Sequence, residues 1–228
     1  MKLKNLILAS VAIAGVLAAT SCKKDKAAEG IDKSIFNGQW MCSALLENNG
    51  PMYEYPSLLW DIDVAGNKAN VFSYFFSPYS AGFDVSGDQI ILKQGSSSTH
   101  YDITSYDEKH MVLTEKYNSD VYEYHFNKMN AILLGDWAIT WYMGNNNNVT
   151  QYYRFKEGGA GARLTQNGEE AADFNWSIKP AENHSFKFVL SIPSLSYQNT
   201  LAILHVYSDS ELSGVDDGDN SIGFNRMK

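Results

Sequence analysis

Gly38-Gln39-Trp40 opens a stretch that closes on Phe126-Asn127-Lys128-Met129, and Gly135-Asp136-Trp137 opens a second that closes on Phe224-Asn225-Arg226-Met227. From glycine to closing phenylalanine is 88 positions in the first copy and 89 in the second. A frame repeated at a near-constant period is one structural unit used twice. The two copies place domains at 34–130 and 131–228, and each is long enough for its own core.

Working outward from the frame, both copies are rich in β-branched and aromatic residues and show no sustained helical period. Eight strands are expected in copy one, at Trp40–Leu46, Leu58–Val64, Asn70–Phe75, Gly82–Val85, Gln89–Lys93, His100–Tyr106, Met111–Lys116 and Val121–Lys128. Copy two gives Trp137–Met143, Thr150–Phe155, Ala162–Thr165, Phe174–Ile178, Phe186–Ser191, Asn199–Tyr207, Glu211–Val215 and Ser221–Arg226. Short strands at regular spacing between turn residues indicate an all-β sandwich or barrel. Trp137, Ile139 and Trp141 share one strand face, as do Tyr122, Tyr124 and Phe126, and Phe186, Phe188 and Leu190. Period-two alternation of this kind buries one face and solvates the other, as in an up-and-down antiparallel barrel. Ala65-Gly66-Asn67 and Gly158-Gly159-Ala160 are matching turns from second to third strand.

A G-x-W at the start of an eight-stranded unit, with Phe-x-Lys or Phe-x-Arg at its end, resembles the lipocalin-like domains of bacterial envelope lipoproteins. The resemblance covers about Ile35 to Met227. It implies two tandem lipocalin-like barrels in which the tryptophan closes the floor and a cation near the last strand lies across its ring. Those pairs would be Trp40 with Lys128 and Trp137 with Arg226. A cation over an indole face is worth roughly 0.5–2 kcal/mol, and lysine stacks less well than arginine.

The N-terminus fits the same family. Met1-Lys2-Leu3-Lys4 is basic, Leu6 to Ala19 is apolar but too short for a permanent span, and Ala18-Ala19-Thr20-Ser21 leads into Cys22. The pattern is similar to a lipobox, with alanine where leucine is usual. It implies a signal peptide at 1–21, removed on export, and acylation of Cys22. A plain secretory signal is the alternative. Residues 22–33 are polar and read as a tether between lipid and folded body. The expected location is the envelope of a Gram-negative bacterium, at the outer membrane, because Asp does not directly follow Cys22.

Composition narrows the function. Residues 34–130 carry five basic and twelve acidic side chains, and residues 131–228 carry seven and eleven. Neither half offers the basic face that nucleic acid requires, so no nucleic-acid partner is expected. With Cys22 acylated, Cys42 is left alone and no internal disulfide forms. Cys42 aligns with Ile139, which marks it as a core position. His100, His110, His125, His184 and His205 show no zinc-like spacing. Asp216-Asp217-Gly218-Asp219-Asn220 lacks the order of a calcium loop and reads as a hairpin turn. No nucleophile elbow, phosphate loop or nucleophile–base pair appears. No catalytic residue, metal or cofactor is therefore assigned, and the chain reads as non-enzymatic.

Two functions remain. In the first, both barrels are solid and the protein is a binding or interaction module for protein or glycan, using exposed aromatics such as Tyr53, Tyr55 and Tyr79. In the alternative, one barrel carries a small hydrophobic ligand, lined by Trp40, Phe72 and Tyr74, or by Trp137, Trp141, Phe186 and Phe188. Strands of about five to eight residues and a content of 11 Phe, 14 Tyr and 5 Trp favour filled interiors, since eight strands enclose little more than their own side chains.

Overall fold

The computed structural model describes residues 30–54, 58–73, 77–143, 148–180, 188–192, 200–216 and 218–228, with the side chains of 52–54 and 188 left aside. The expected signal peptide, Cys22, Tyr55, Tyr74, Phe186 and the Tyr53 side chain lie outside the described residues. Within them the chain is almost entirely β-structure, organised as two tandem antiparallel barrels.

Barrel 1 is built from β1 (Gly38–Glu47), β2 (Gly50–Glu54), β3 (Leu58–Asp63), β4 (Lys68–Ser73), β5 (Tyr79–Ser86), β6 (Gln89–Gln94), β7 (Ser97–Tyr106), β8 (His110–Tyr117) and β9 (Asp120–Lys128). β1 pairs with both β2 and β3, each strand from β3 onward pairs with the next, and β9 returns to β1, so the sheet closes. β2 and β3 share one edge of β1: Ala44 to Glu47 pair with β2 and Gly38 to Met41 with β3. Together they form a single second strand, giving eight strands in the ring. The sequence reading places no strand over β2. The missed signal is Asn48-Asn49, at φ 50° and 65°, the two left-handed positions of a tight two-residue hairpin.

A short helix, α1 (Met129–Ile132), leads into barrel 2. Its strands are β10 (Gly135–Tyr142), β11 (Val149–Phe155), β12 (Ala160–Leu164), β13 (Glu170–Asn175), β14 (Ser177–Pro180), β15 (Phe188–Ser191), β16 (Thr200–Ser208), β17 (Glu211–Asp216) and β18 (Ser221–Arg226). The sheet order runs β13-β12-β11-β10-β18-β17-β16-β15-β14, leaving its two ends joined by the chain rather than by a ladder.

The single strand expected at Phe174–Ile178 is thus two. Trp176 makes the break. Its backbone N–H donates to Gly159 O at 2.7 Å, and its indole N–H to Ala160 O at 2.7 Å. This holds Trp176 against β12, while two residues later Ile178 pairs with Leu190 on β15. Gly159 is required beside it: φ is +79°, and a Cβ there would lie 2.7 Å from Trp176 O.

The interiors follow from alternation. In barrel 1, Trp40, Cys42, Trp60, Ile62, Phe83, Ile90, Met111 and Phe126 belong to one buried cluster. In barrel 2, Trp137, Ile139, Trp141, Tyr153, Phe155, Phe224 and their neighbours form another. That second cluster also takes in Met41 and Leu59, each 1% exposed, with Phe72 packed against it. These three stand in register on adjacent strands (Met41 opposite Leu59, Leu59 opposite Phe72) and alternate with the inward Trp40, Trp60 and Val71. They are the outer face of barrel 1, buried against barrel 2. Burying an apolar side chain of this size contributes about 1.5–3 kcal/mol, so the barrels are docked through a shared apolar seam.

Candidate functional site

The repeated frame forms a clasp at one end of each barrel. Trp40 and Lys128 are directly opposed on β1 and β9, and Trp137 and Arg226 on β10 and β18. Lys128 Nζ lies 5.4 Å from the centre of the Trp40 ring, and Arg226 Cζ 4.5 Å from that of Trp137. Each indole N–H donates four residues back into the preceding helical turn, Trp40 to Phe36 O at 2.8 Å and Trp137 to Leu133 O at 2.7 Å. The cations cap the same turns. Lys128 donates to Ile35 O at 2.8 Å, while Arg226 donates to Ile132 O at 2.6 Å and Leu134 O at 2.7 Å. Helix ends leave carbonyls unpaired, and cations satisfy them. Burial holds the Lys128 ammonium below its ordinary pKa, an effect that Glu108 partly opposes.

The glycine of each frame makes room for this arrangement. Gly38 and Gly135 sit at φ +120° and +114°, and a Cβ on Gly135 would fall 2.4 Å from Arg226 Nη1. The closing phenylalanines are placed equivalently too: Cys42 opposes Phe126, and Ile139 opposes Phe224. Cys42 is 2% exposed, and burial pushes its thiol up to about 12, so it packs as a small apolar group rather than a nucleophile.

Away from its clasp, barrel 1 opens into a cup of about 570 Å³. Its inner part is aromatic. Trp60 meets Tyr101 edge-on at 5.1 Å, and Tyr101 meets Tyr124 edge-on at 5.7 Å. Leu58 and Val71 add apolar wall, and Tyr79, Gln94, Thr99 and Glu115 bring polar groups. The Tyr124 hydroxyl donates to Glu115 Oε2 at 2.9 Å. Burial, with the Glu115 charge adding to it, pushes the Tyr101 and Tyr124 hydroxyls far up, so both remain protonated. The Trp60 indole N–H is buried and has no hydrogen-bond partner among the described residues. Leaving such a donor unpaired costs about 1–3 kcal/mol.

The residues named from the sequence are distributed unevenly over this geometry. Trp40 belongs to the packed clasp end of barrel 1. Phe72 lies on the outer face against barrel 2, because β4 turns Ala69, Val71 and Ser73 inward and Asn70 and Phe72 outward. Trp137 and Trp141 pack in the barrel 2 core. Phe188 contributes backbone to β15, with its side chain outside the described set. Tyr79, expected from the sequence among the exposed aromatics, lines the cup. The reading of filled interiors fits the clasp end of barrel 1 but not its other end. Trp60, Tyr101 and Glu115 went unrecognised. The available signal was Glu115 itself, a charge at the position where β8 next turns inward after Met111 and Leu113.

The acidic stretch joins β17 to β18 as a turn. Asp216 is 4% exposed, and its Oδ1 accepts from the backbone N–H of Gly218 at 2.8 Å and of Asn220 at 3.0 Å. Among the described residues no group of three His, Cys, Asp or Glu is placed to hold a metal, and no helix is long and apolar enough to cross a membrane.

No protein-family model matches the chain, and no curated protein or solved structure is significantly similar to it.

Proposed function

We propose that the protein is a non-enzymatic, lipid-anchored envelope protein whose first lipocalin-like barrel binds a small molecule. The observation that carries this is the cup of about 570 Å³ in barrel 1. Its volume falls within the range of small-molecule sites, which are mostly apolar with a few convergent polar groups. The cup is more mixed than most such sites: Leu58, Trp60 and Val71 give it an apolar wall, Tyr79, Tyr101 and Tyr124 add aromatic rings with hydroxyls, and Ser77, Gln94, Thr99 and Glu115 are polar. Barrel 2 then serves as the docked partner that covers the outer face of β1, β3 and β4.

Native mass spectrometry of the cell-purified protein tests this. A co-purifying small molecule is expected on the wild type and lost on Val71→Trp, which fills the cup. Its persistence on a folded Val71→Trp variant would place the molecule elsewhere. A second use, recognition of protein or glycan at the surface, draws its support from Tyr117, which is 64% exposed at the end of β8. Location at the outer membrane rests on the N-terminal sequence, through acylation of Cys22.

A further inference from the structure

We infer that the cup of barrel 1 takes an organic ammonium cation on a compact apolar body, with Glu115 as its counter-charge. This rests on the binding function proposed above and narrows it to one ligand chemistry.

Three observations converge. First, Glu115 occupies an inward position. β8 buries Met111 and Leu113, and the next residue of that face is Glu115, which lines the cup. A carboxylate on an interior face is costly to desolvate unless it gains a partner. Second, no such partner stands among the described residues. Glu115 accepts a hydrogen bond from Tyr124 but enters no ion pair among the described residues. No lysine, arginine or histidine stands among the described residues lining the cup. Third, the walls suit a cation, since Trp60, Tyr79, Tyr101 and Tyr124 supply aromatic rings. The negative face of such rings attracts an ammonium, most strongly where water is excluded.

The alternatives fit less well. An anionic ligand would meet Glu115 with nothing to offset it. A purely apolar ligand would cover the carboxylate and leave its charge with the Tyr124 hydroxyl but no cation. A hard metal ion needs several oxygen ligands, and one carboxylate among phenols is a poor set. The surrounding barrel, with five basic against twelve acidic side chains over 34–130, further favours cations.

The test compares benzyltrimethylammonium with its uncharged carbon isostere, neopentylbenzene, by NMR titration of the intact protein. The cation should bind at least about tenfold more tightly, a difference of about 1.4 kcal/mol. Glu115→Gln should remove most of that preference while still accepting from Tyr124, with its thermal melt reporting that the fold is kept. Equal binding of the two probes, or a preference unchanged in Glu115→Gln, overturns the cation assignment and leaves the cup as a binding site. Absence of binding by either probe at millimolar concentration overturns the assignment and the binding role together.

Discussion

Arg226 and Trp137 are locked together at the floor of barrel 2. The guanidinium sits 4.5 Å from the indole centre, and it also donates to three backbone carbonyls, those of Ile132, Leu134 and Asp209. In barrel 1, Lys128 lies farther from Trp40 and, among the described residues, donates only to Ile35. The same frame is therefore fastened with unequal strength. Charge-assisted hydrogen bonds contribute about 1.5–3 kcal/mol each before losses elsewhere. Arg226→Ala is expected to destabilise the protein by about 3–5 kcal/mol and Lys128→Ala by about 1–2 kcal/mol. Urea unfolding of the two variants decides this, and equal losses would refute the difference.

The glycines of the frame should differ in the same sense. Gly135→Ala strains a backbone at φ +114° and drives a Cβ to 2.4 Å from Arg226 Nη1, whereas in Gly38→Ala the nearest atom is Lys128 Cε at 3.3 Å. Both lose about 1–3 kcal/mol from conformation, and Gly135→Ala loses more from the clash. In a double-mutant cycle, Arg226→Ala should relieve part of the Gly135→Ala loss, giving a non-additive pair. Strict additivity would mean that the two do not touch in solution.

Cys42 should be silent to thiol reagents. Only thiolate reacts, and a thiol at about 12 and 2% exposed supplies almost none. Labelling with a chromogenic disulfide at pH 8.5 is expected to follow global unfolding, becoming rapid only in denaturant. Fast labelling of the native protein would show that β1 opens locally.

His110 connects the barrels and makes that contact pH-dependent. Its Nε2 lies 2.8 Å from Asp209 Oδ1 in the second barrel, and its Nδ1 lies 3.2 Å from Asp107 Oδ2 in the first. Burial works to lower its pKa, but the hydrogen bonds and charges of Asp209 and Asp107 outweigh it and raise the value above 6.5. A raised pKa stabilises the fold fully below 6.5, and the benefit disappears as pH climbs through the folded value. The melting temperature of the wild type relative to His110→Gln should therefore be highest near pH 5.5 and fall toward pH 8.5. A constant difference across that range would exclude the contact as a source of stability.

The lipid anchor is open to a direct test. Cys22→Ala is expected to move the protein from the membrane fraction to the soluble fraction of the envelope and to end its metabolic labelling with palmitate. An unchanged membrane association would overturn acylation at this position.

Much of the architecture is legible in the sequence, for a local reason. Alternation over Trp137, Ile139 and Trp141 announces a strand with one buried face, and the repeated frame announces two such units. Cys42 aligns with Ile139, and that alone marks it as core. β2 is not legible there because its hairpin depends on Asn48 and Asn49 adopting positive φ, which residue identity only weakly specifies. The break at Trp176 is not legible either, because it is made by hydrogen bonds to the turn at Gly159, a contact between segments.

What the sequence by itself determined is everything that depends on neighbours along the chain: strand faces, turns, the doubled frame, and the acidic balance. Which side chains enclose space depended on the tertiary structure. Phe72 shows the limit. Its aromatic character suits a cup, but strand register points it outward, where barrel 2 covers it. Glu115, unremarkable in the chain, reaches the cup because closing the barrel brings β8 opposite β4. Closure and docking are contacts between residues far apart in sequence, and they decide which side chains of barrel 1 line its cup.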